Sequence, residues 1–397
     1  VCVAVAANGK LEVIDSSAAQ TGKITGGNID GSGGGVWVEG DFTLSSGSIT
    51  GNKAGDANTD SIGAGVMVYG GEFTMNGGTI SKNILTNGKT YALGGGVCVN
   101  NGGKFTMNGG EISENENQST KTPTGLGVYV EDSGSQFILN GGKITKHGLT
   151  DKADNAVDVE AGGKLIINGG EISGNVTNYG AVHASSAESF EMNGGKICNN
   201  RIRSSAEGNK EIYGGAGTYL YNTSFTMNGG EISGNTTPIG PSAVSLDATA
   251  SFKMTGGIIT DNTTTAMATI KPLLAAGSVQ KTVPFGAVSQ FMDFAGKACT
   301  IELAGGKIVG NHGGGVRPTM YWNQTGTNAS AQSNLRNSMT QLIISGPAVV
   351  VDNDDWDIYL ASRGYVGGST NSNFFGIMVK LQGNPVKDGY APNIGLY

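Results

Sequence analysis

An eleven-residue motif recurs along this chain and constrains its fold more than any other feature. Each copy opens with an apolar residue, carries Asn-Gly-Gly near its centre and ends in Asn or His. The clear copies are FTMNGGTISKN (73–83), FTMNGGEISEN (105–115), FILNGGKITKH (137–147), LIINGGEISGN (165–175), FEMNGGKICNN (190–200) and FTMNGGEISGN (225–235). Looser copies begin at Phe42, Phe252 and Ile301. A repeat of this kind predicts stacked units and not separate globular domains.

A second short strand precedes each copy of the motif. Examples are GVWVE from Gly35, GVCVN from Gly96 and AVDVE from Ala156. Apolar and polar residues alternate in both segments, which is typical of strands with one buried face. We therefore expect an all-β, right-handed parallel β-helix of about ten or eleven coils, with loop insertions on one edge. The Asn-Gly-Gly turn is expected because glycine adopts positive φ without strain.

The predicted domain organisation is a single β-helix domain over residues 1–397. Its coils are expected to span about residues 10–362, followed by a C-terminal capping segment over about 363–397. The abrupt apolar start at Val1 suggests a piece of a longer chain. A missing N-terminal domain or a partner chain that packs on the first coil would then cover this end.

Composition excludes several classes of protein. With 68 Gly but 14% charged residues, the chain has neither the charge of a disordered protein nor the three-residue period of collagen. The net charge of −7, without a basic patch, argues against a nucleic-acid partner. The chain contains no run of about 18 apolar residues, so no membrane-spanning helix is predicted. The four cysteines are widely spaced and are expected to be buried thiols.

One column of outward-facing residues carries the chemistry of the predicted solenoid. In each GVxV strand the residue between the two valines points away from the core, and stacking aligns these residues. The column contains Trp37, Met67, Cys98, Tyr129, Asp158, His183, Tyr219 and Ser245. Aromatic rings mixed with acids and amides on a solvated face favour a sugar-binding groove. An alternative is that aromatic residues simply favour exposed strand positions.

Acidic residues concentrate in one coil, between His147 and Asn175. Asp158 lies in the outward column, Glu160 follows two residues later, and Asp151 and Asp154 lie in the preceding loop. A glycosidase needs two carboxyl groups about 5 to 5.5 Å apart to retain the anomeric configuration, or about 6.5 to 9.5 Å apart to invert it. We expect Asp151 and Asp158 to reach the shorter separation. Along one strand Asp158 and Glu160 should lie about 6.6 to 7 Å apart, which suits inversion.

The chain resembles a known family at these residues. The INGGxISGN coils with GGGVYV strands resemble bacterial cell-surface β-helix proteins. The seven-residue spacing of Asp151 and Asp158 is similar to that in the β-helix lacto-N-biosidases of gut bacteria. That resemblance implies retaining exo-hydrolysis that releases a disaccharide such as lacto-N-biose from milk oligosaccharides or mucin-type glycans. It further implies that Asp151 is the acid/base and Asp158 the nucleophile, in an extracellular or bacterial cell-surface protein.

The expected substrate-binding residues, which come from the outward column and the acidic coil, are Trp37, Tyr129, Asp154, Glu160, His183 and Tyr219. The proposed chemistry requires no cofactor; Asp352, Asp354, Asp355 and Asp357 could hold a structural calcium ion, although a solvated acidic loop is favoured. A non-catalytic glycan-binding adhesin is one alternative function. A polysaccharide lyase or polygalacturonase is another, but an acidic groove would repel uronates.

Overall fold

The computed structural model describes most of the chain in atomic detail. The described residues are 1–19, 21–56, 58–86, 88–119, 123–149, 154–204, 214–238, 240–265, 268–270, 281–283, 285–292, 299–318, 321–324, 341–354, 356–360, 363–366, 378–382 and 394–396. Asp151 and Asp355, two of the acids considered above, lie outside the described residues.

Three long parallel sheets run the length of the molecule, and the chain visits them in the order sheet 1, sheet 2, sheet 3 in each coil. Over the described residues they contain 13, 12 and 11 strands. Sheet 1 consists of Val3–Val5, Val36–Val38, Val66–Tyr69, Val97–Asn100, Val128–Val130, Val157–Glu160, Val182–Ser185, Thr218–Tyr221, Val244–Asp247, Val288–Met292, Val316–Arg317, Ile358–Leu360 and Ile394–Leu396.

Sheets 2 and 3 contain the two halves of the eleven-residue motif. Sheet 2 consists of Lys10–Val13, Asp41–Leu44, Glu72–Met75, Lys104–Met107, Gln136–Leu139, Lys164–Ile167, Ser189–Met192, Ser224–Met227, Ser251–Met254, Thr300–Leu303, Gln341–Ser345 and Met378–Gln382. Sheet 3 consists of Lys23–Ile24, Ser48–Thr50, Thr79–Ser81, Glu111–Ser113, Lys143–Thr145, Glu171–Ser173, Lys196–Cys198, Glu231–Ser233, Ile258–Thr260, Lys307–Val309 and Val349–Val351. The predicted parallel β-helix is therefore confirmed.

The loops between sheet 3 and the next strand of sheet 1 contain short strands that also stack. One set is Asn28–Ile29, Lys53–Ala54, Ile84–Leu85 and Glu116–Asn117, and a second is Ser61–Ile62, Ala92–Leu93 and Pro123–Thr124. A third is Val176–Thr177, Arg201–Ile202, Thr236–Thr237 and Thr263–Thr264. Tyr321–Gln324 pairs with Arg363–Val366 in parallel, and Ala268–Ile270 pairs with Lys281–Val283 in antiparallel fashion. The inserted loops thus form a partial fourth wall.

Strand pairing extends to both ends of the chain. Val3–Val5 pairs with Val36–Val38, so sheet 1 begins before residue 10. Met378–Gln382 and Ile394–Leu396 add strands to sheets 2 and 1. Residues assigned from sequence to a capping segment therefore continue two of the sheets.

The interior is one continuous apolar core of stacked, like residues. Phe42, Phe73, Phe105 and Phe137 stack at centroid distances of 5.0, 4.7 and 4.9 Å. Leu165 follows in register and interrupts the stack, which resumes at Phe190 and continues through Phe225 and Phe252. In-register pairing places each ring over the next, which is the arrangement that the repeat predicted.

The two glycines of the motif have different roles. In the coil that contains Gly109 and Gly110, only the second has a positive φ, of 87°. A Cβ on Gly109 would lie 2.7 Å from the carbonyl oxygen of Asn76 in the preceding coil. The first glycine is therefore required by close stacking and the second by backbone conformation, whereas the sequence interpretation assigned both to positive φ.

A buried ladder of asparagine amides joins the coils where sheet 3 ends. The side-chain nitrogen of Asn83 donates to Asn115 Oδ1 at 3.0 Å and to the carbonyl oxygen of Ile49 at 3.0 Å, and the same pattern repeats along the chain. Its members are Asn52, Asn83, Asn115, His147, Asn175, Asn200, Asn235, Asn262, Asn311 and Asn353. A second, exposed ladder joins the Asn-Gly-Gly asparagines, for example Asn108 to Asn76 at 2.9 Å.

Candidate active site

The strand register establishes which outward-facing residues are neighbours. Tyr129 pairs with Asp158, Asp158 with His183, and His183 with Tyr219. The earlier part of the column pairs Trp37 with Met67 and Met67 with Cys98. The predicted column is thus confirmed in its order.

The column is not the solvated face that the sequence predicted. Met67, Cys98, Tyr129 and Asp158 are all buried. The reason is the fourth wall, since Leu93 and the partly buried Ile62 come from its short strands and pack against Met67, Cys98 and Tyr129. Loops that appear in the sequence as edge insertions therefore cover this part of the column.

Asp158 has a partner at each of its two carboxylate oxygens. Its side chain is 0% exposed, its Oδ1 lies 2.9 Å from Nδ1 of His183, and its Oδ2 accepts a hydrogen bond from Asn155 Nδ2 at 2.9 Å. Asn155 lies three residues earlier, where the loop enters the strand. Both carboxylate oxygens therefore have fixed partners, which orients the group before any ligand arrives.

Glu160 lies beside Asp158 and reaches solvent. Its side chain is 29% exposed, and its Oε2 accepts a hydrogen bond from the Tyr129 hydroxyl at 3.3 Å. One carboxylate oxygen each of Asp158 and Glu160, with a ring nitrogen of His183, lie within 4.8 Å of one another. The two side chains therefore converge, since their backbone positions are about 6.6 to 7 Å apart along the strand. Oxygens this close are compatible with the retaining separation of about 5 to 5.5 Å.

Burial and neighbouring charge shift the protonation of this group. Burial, followed by the charge of Asp158, raises the pKa of Glu160 to about 7. Burial alone would lower the pKa of His183, but the charges of Asp158 and Glu160 outweigh it and the net shift is upward. Burial and the charge of Asp158 also raise the pKa of Asp154 well above its ordinary value. The pKa values of Asp154, Glu160 and His183 are therefore all raised, and the Glu160 carboxyl group titrates near neutrality.

Asp154 occupies a different place from the one expected for a substrate-binding residue. It is 1% exposed, and its Oδ1 accepts a hydrogen bond from the backbone N–H of Asn155 at 2.7 Å. The Asp154 carboxyl group therefore bonds the backbone beside it and is not exposed at the surface.

Tyr219 and Trp37 lie at different distances from the carboxylates. Tyr219 stacks on His183 at a centroid distance of 5.3 Å, is 7% exposed, and donates to Asp247 Oδ2 at 3.0 Å. Trp37 lies four strands from Asp158, about 19 Å at the usual strand spacing, and stacks on Tyr69 at 5.4 Å. Tyr219 therefore belongs to the site, and Trp37 cannot contact the same sugar ring as Asp158.

Asn155 and Tyr179 were missed by the sequence analysis. Asn155 was passed over because amides are frequent in this chain and because the loop before it has no repeat to align it. Its buried Oδ1 has no hydrogen-bond partner in the part of the chain that the structure describes, a state that costs about 1–3 kcal/mol. Tyr179 lies near His183 and Tyr219, at ring-centroid distances of 6.0 and 6.4 Å. An acid-rich loop that feeds an outward strand was the only signal that pointed towards Asn155.

Asp158, Glu160 and His183 offer a donor set that a divalent cation could use. A cation would have to replace the hydrogen bond between Asp158 and His183. The raised pKa of His183 favours a proton on its ring, which would compete with a cation for the two carboxylates.

The described acids of the last coils, Asp352, Asp354 and Asp357, form no group that converges on one point. Asp354 contacts His312 Nδ1 at 2.6 Å, and Asp357 Oδ1 accepts hydrogen bonds from the backbone and side-chain nitrogens of Asn353, each at 3.0 Å. Asp352 adopts a positive φ of 56°. The described acids of this segment therefore serve the ladder and the turn.

No family model, curated protein or solved structure matches this chain. Among the described residues, no helix has the length and apolar character needed to cross a membrane.

Proposed function

We propose that this protein is a retaining glycoside hydrolase with Asp158 as its nucleophile. The observation that carries the proposal is the fixed Asp158 carboxylate, bonded to His183 and Asn155, with an oxygen of Glu160 within 4.8 Å. Paired carboxyl groups in unlike environments are what the double-displacement mechanism needs. The proposed substrate is an oligosaccharide from which a disaccharide such as lacto-N-biose is released, outside the cell or at a bacterial surface.

The first step forms a covalent intermediate. An Asp158 oxygen attacks the anomeric carbon as the bond to the leaving oxygen breaks, and the acid residue gives its proton to that oxygen. In the second step the same residue, now a base, takes a proton from water. The water oxygen attacks the anomeric carbon and releases the Asp158 carboxylate.

Asp151 is proposed as the acid/base on the strength of the family resemblance. Its position lies outside the described residues, so the proposal for it rests on the seven-residue spacing. Within the described residues, Glu160 is the rival for this role, because its pKa of about 7 allows it to carry a proton at neutral pH. His183 and Asn155 would hold Asp158 in place through both steps.

Asp158 has no exposed surface, whereas Glu160 and His183 are partly exposed. A sugar therefore reaches Asp158 only if covering groups move. The rings of Tyr179 and Tyr219 lie beside that of His183, and flat rings of this kind bind sugar faces.

The test compares Asp158→Asn, Asp151→Asn and Glu160→Gln on two substrates, each with and without azide. One is p-nitrophenyl lacto-N-bioside, and the other is an unactivated tetrasaccharide that ends in lacto-N-biose. Asp158→Asn should lose release of nitrophenol, and azide should restore it with a product of inverted configuration. The acid/base variant should keep much of its activity on the activated aryl substrate, lose it on the tetrasaccharide, and form an azide product of retained configuration. Asn168→Ala, in the exposed ladder, is the matched control.

Each outcome has a defined consequence. If Glu160→Gln and not Asp151→Asn shows the acid/base pattern, that role moves to Glu160. If Asp158→Asn hydrolyses both substrates like the wild type, the assignment of Asp158 as the nucleophile is wrong. Binding of glycans without hydrolysis by the wild-type protein would favour the adhesin.

A further inference from the structure

The side chain of Asn155 has one unused hydrogen-bonding atom beside the proposed nucleophile. Its backbone N–H donates to Asp154 Oδ1 at 2.7 Å, and its backbone carbonyl accepts from the N–H of Leu126 at 2.8 Å. Its Nδ2 donates to Asp158 Oδ2 at 2.9 Å. Oδ1 has no hydrogen-bond partner among the described residues, although Asn155 is 1% exposed. Buried acceptors are paired in nearly all native proteins, and a bound ligand would supply such a partner.

The orientation of this amide is fixed by its neighbour. A flipped amide would place Oδ1 against the Asp158 carboxylate, where two acceptors repel each other. Oδ1 is therefore an acceptor, and it lies about 2.2 Å from Nδ2 by covalent geometry. It follows that Oδ1 is adjacent to the oxygen that Nδ2 contacts on Asp158.

A sugar in position to react with Asp158 brings its anomeric carbon to about 3 to 3.5 Å from the attacking oxygen. The substituent on the neighbouring ring carbon, C2, is then the nearest possible hydrogen-bond donor to the carboxylate and its partners, because the ring oxygen carries no proton. Asn155 is hydrogen-bonded to Asp158, so a sugar that reaches the Asp158 carboxylate also comes close to the Asn155 amide.

We infer that Asn155 Oδ1 accepts a hydrogen bond from a donor on C2 of the sugar that is cleaved. This inference rests on the proposed function and specifies its substrate class: glycosides with an O–H or N–H group at C2. A hydroxyl and an acetamido group supply the same chemistry, and sugars without a donor at C2 leave Oδ1 unpaired. Asn155 is thus both a positioning residue for Asp158 and a determinant of specificity.

The experiment uses three p-nitrophenyl glycosides that differ only at C2, with acetamido, hydroxyl or hydrogen. The quantity compared is kcat/KM for each donor substrate divided by kcat/KM for the C2-hydrogen substrate. Asn155→Ala should lower this ratio at least tenfold. Loss of the bond to Asp158 affects all three substrates and cancels in the ratio. If the acetamido ratio falls more than the hydroxyl ratio, the natural substrate carries an acetamido group at C2. The opposite order indicates a hydroxyl group.

Binding is measured in parallel, with the corresponding thioglycosides and isothermal titration calorimetry. Wild-type protein should prefer the donor-bearing thioglycosides, and Asn155→Ala should lose that preference. Asn155→Leu, which fills more of the same volume, replaces the alanine variant if circular dichroism shows that alanine unfolds the chain. Asn168→Ala should leave both measurements unchanged.

The two proposals fail in distinguishable ways. A C2 preference in binding that Asn155→Ala removes, without turnover of any aryl glycoside, would sink the hydrolase proposal and keep this one. An unchanged ratio in Asn155→Ala, or equal binding of all three thioglycosides by the wild type, would overturn the role of Asn155.

Discussion

The imidazole Nδ1 of His147 lies 3.1 Å from Oδ1 of Asn175, in the place that an asparagine amide occupies in neighbouring coils. Its Nε2 lies 3.4 Å from Nδ2 of Asn115. A neutral ring with its proton on Nδ1 satisfies both neighbours, since it donates to an acceptor and accepts from a donor. A charged ring would set two donors against each other.

The first prediction concerns stability at acidic pH. Burial lowers the pKa of His147 to about 4, whereas the unfolded chain should titrate near 6.5. The unfolded state therefore binds the proton first, and stability is lost as pH falls from about 6.5 to about 4. The loss from this group is about 3 kcal/mol. Urea unfolding of wild type and His147→Asn at several pH values measures it.

The asparagine variant restores the residue found in the other coils and should flatten this part of the profile. The exposed histidine variant His312→Asn is the control and should follow the wild type. Parallel profiles for wild type and His147→Asn would contradict the assignment to His147.

The second prediction concerns the effect of the Asp158 charge on the pKa of Glu160. The side-chain carboxyl of Glu160 should titrate with a midpoint near 7 in a carbon-detected NMR experiment. In Asp158→Asn the midpoint should move down, because a neighbouring negative charge is removed, but it should stay above 4.5 because burial remains. A midpoint that does not move would mean that the two carboxyl groups are not coupled.

The third prediction concerns His183. Its raised pKa depends on the charges of Asp158 and Glu160, which outweigh the effect of burial. Asp158→Asn should therefore lower the titration midpoint of the His183 ring, and Glu160→Gln should lower it less because Glu160 is farther away, at 3.9 Å. Proton NMR of the ring resonances measures both. A larger effect from Glu160→Gln would contradict the order of the two distances.

The fourth prediction compares the buried and the exposed ladders. Asn83→Ala removes bonds to Asn115 and Ile49 and leaves the side-chain and backbone N–H groups of Asn52 without their acceptor. Because these partners are buried, the cost should exceed about 3 kcal/mol. Asn108→Ala removes bonds that water can replace, and its cost should stay below about 1 kcal/mol. Chemical unfolding of the two variants, followed by circular dichroism, decides between this order and equal costs.

The fifth prediction concerns Arg203, which is 6% exposed and donates from Nη2 to the carbonyl oxygen of Gly148 at 2.7 Å. This contact holds the start of the loop that leads to Asp154 and Asp158. Arg203→Ala should speed amide hydrogen exchange by at least tenfold at Val176, whose N–H donates at 2.9 Å to the carbonyl oxygen of His147, the residue before Gly148. The exposed neighbour Arg201, changed to Ala, should leave exchange there as in the wild type. Equal exchange in both variants would show that Arg203 does not hold the loop.

The repeat made the order of the outward column predictable from sequence. Once the valines of GVWV and AVDV are placed inward, Asp158 and His183 must be neighbours, and the pairing confirms it. The stacked phenylalanines and the asparagine ladders follow from the same alignment of like residues. Register in a solenoid is a property of the sequence pattern, because a slip by one residue would turn a whole strand inside out.

Burial of that column was not predictable in the same way. It depends on the non-repeating loops, whose short strands bring Ile62 and Leu93 over Met67 and Cys98. The short distance between the carboxylate oxygens of Asp158 and Glu160 depends on their side-chain rotamers, which strand geometry alone does not predict. Asn155 lies where the loop joins the strand, and the two preceding coils have Leu126 and Gly95 at this position, so the repeat offered no other amide for comparison.

The matching cross-sections of the coils have a consequence for how such a chain can change in evolution. A whole coil can be duplicated or deleted and still present matching strands, stacked rings and ladder amides to both neighbours. The coil that runs from His147 to Asn175 is different, because it carries His147 in the ladder, Leu165 in the ring stack and the acids beside them. Insertions elsewhere would lengthen the molecule and leave this coil intact, so chain length and chemistry can be selected independently.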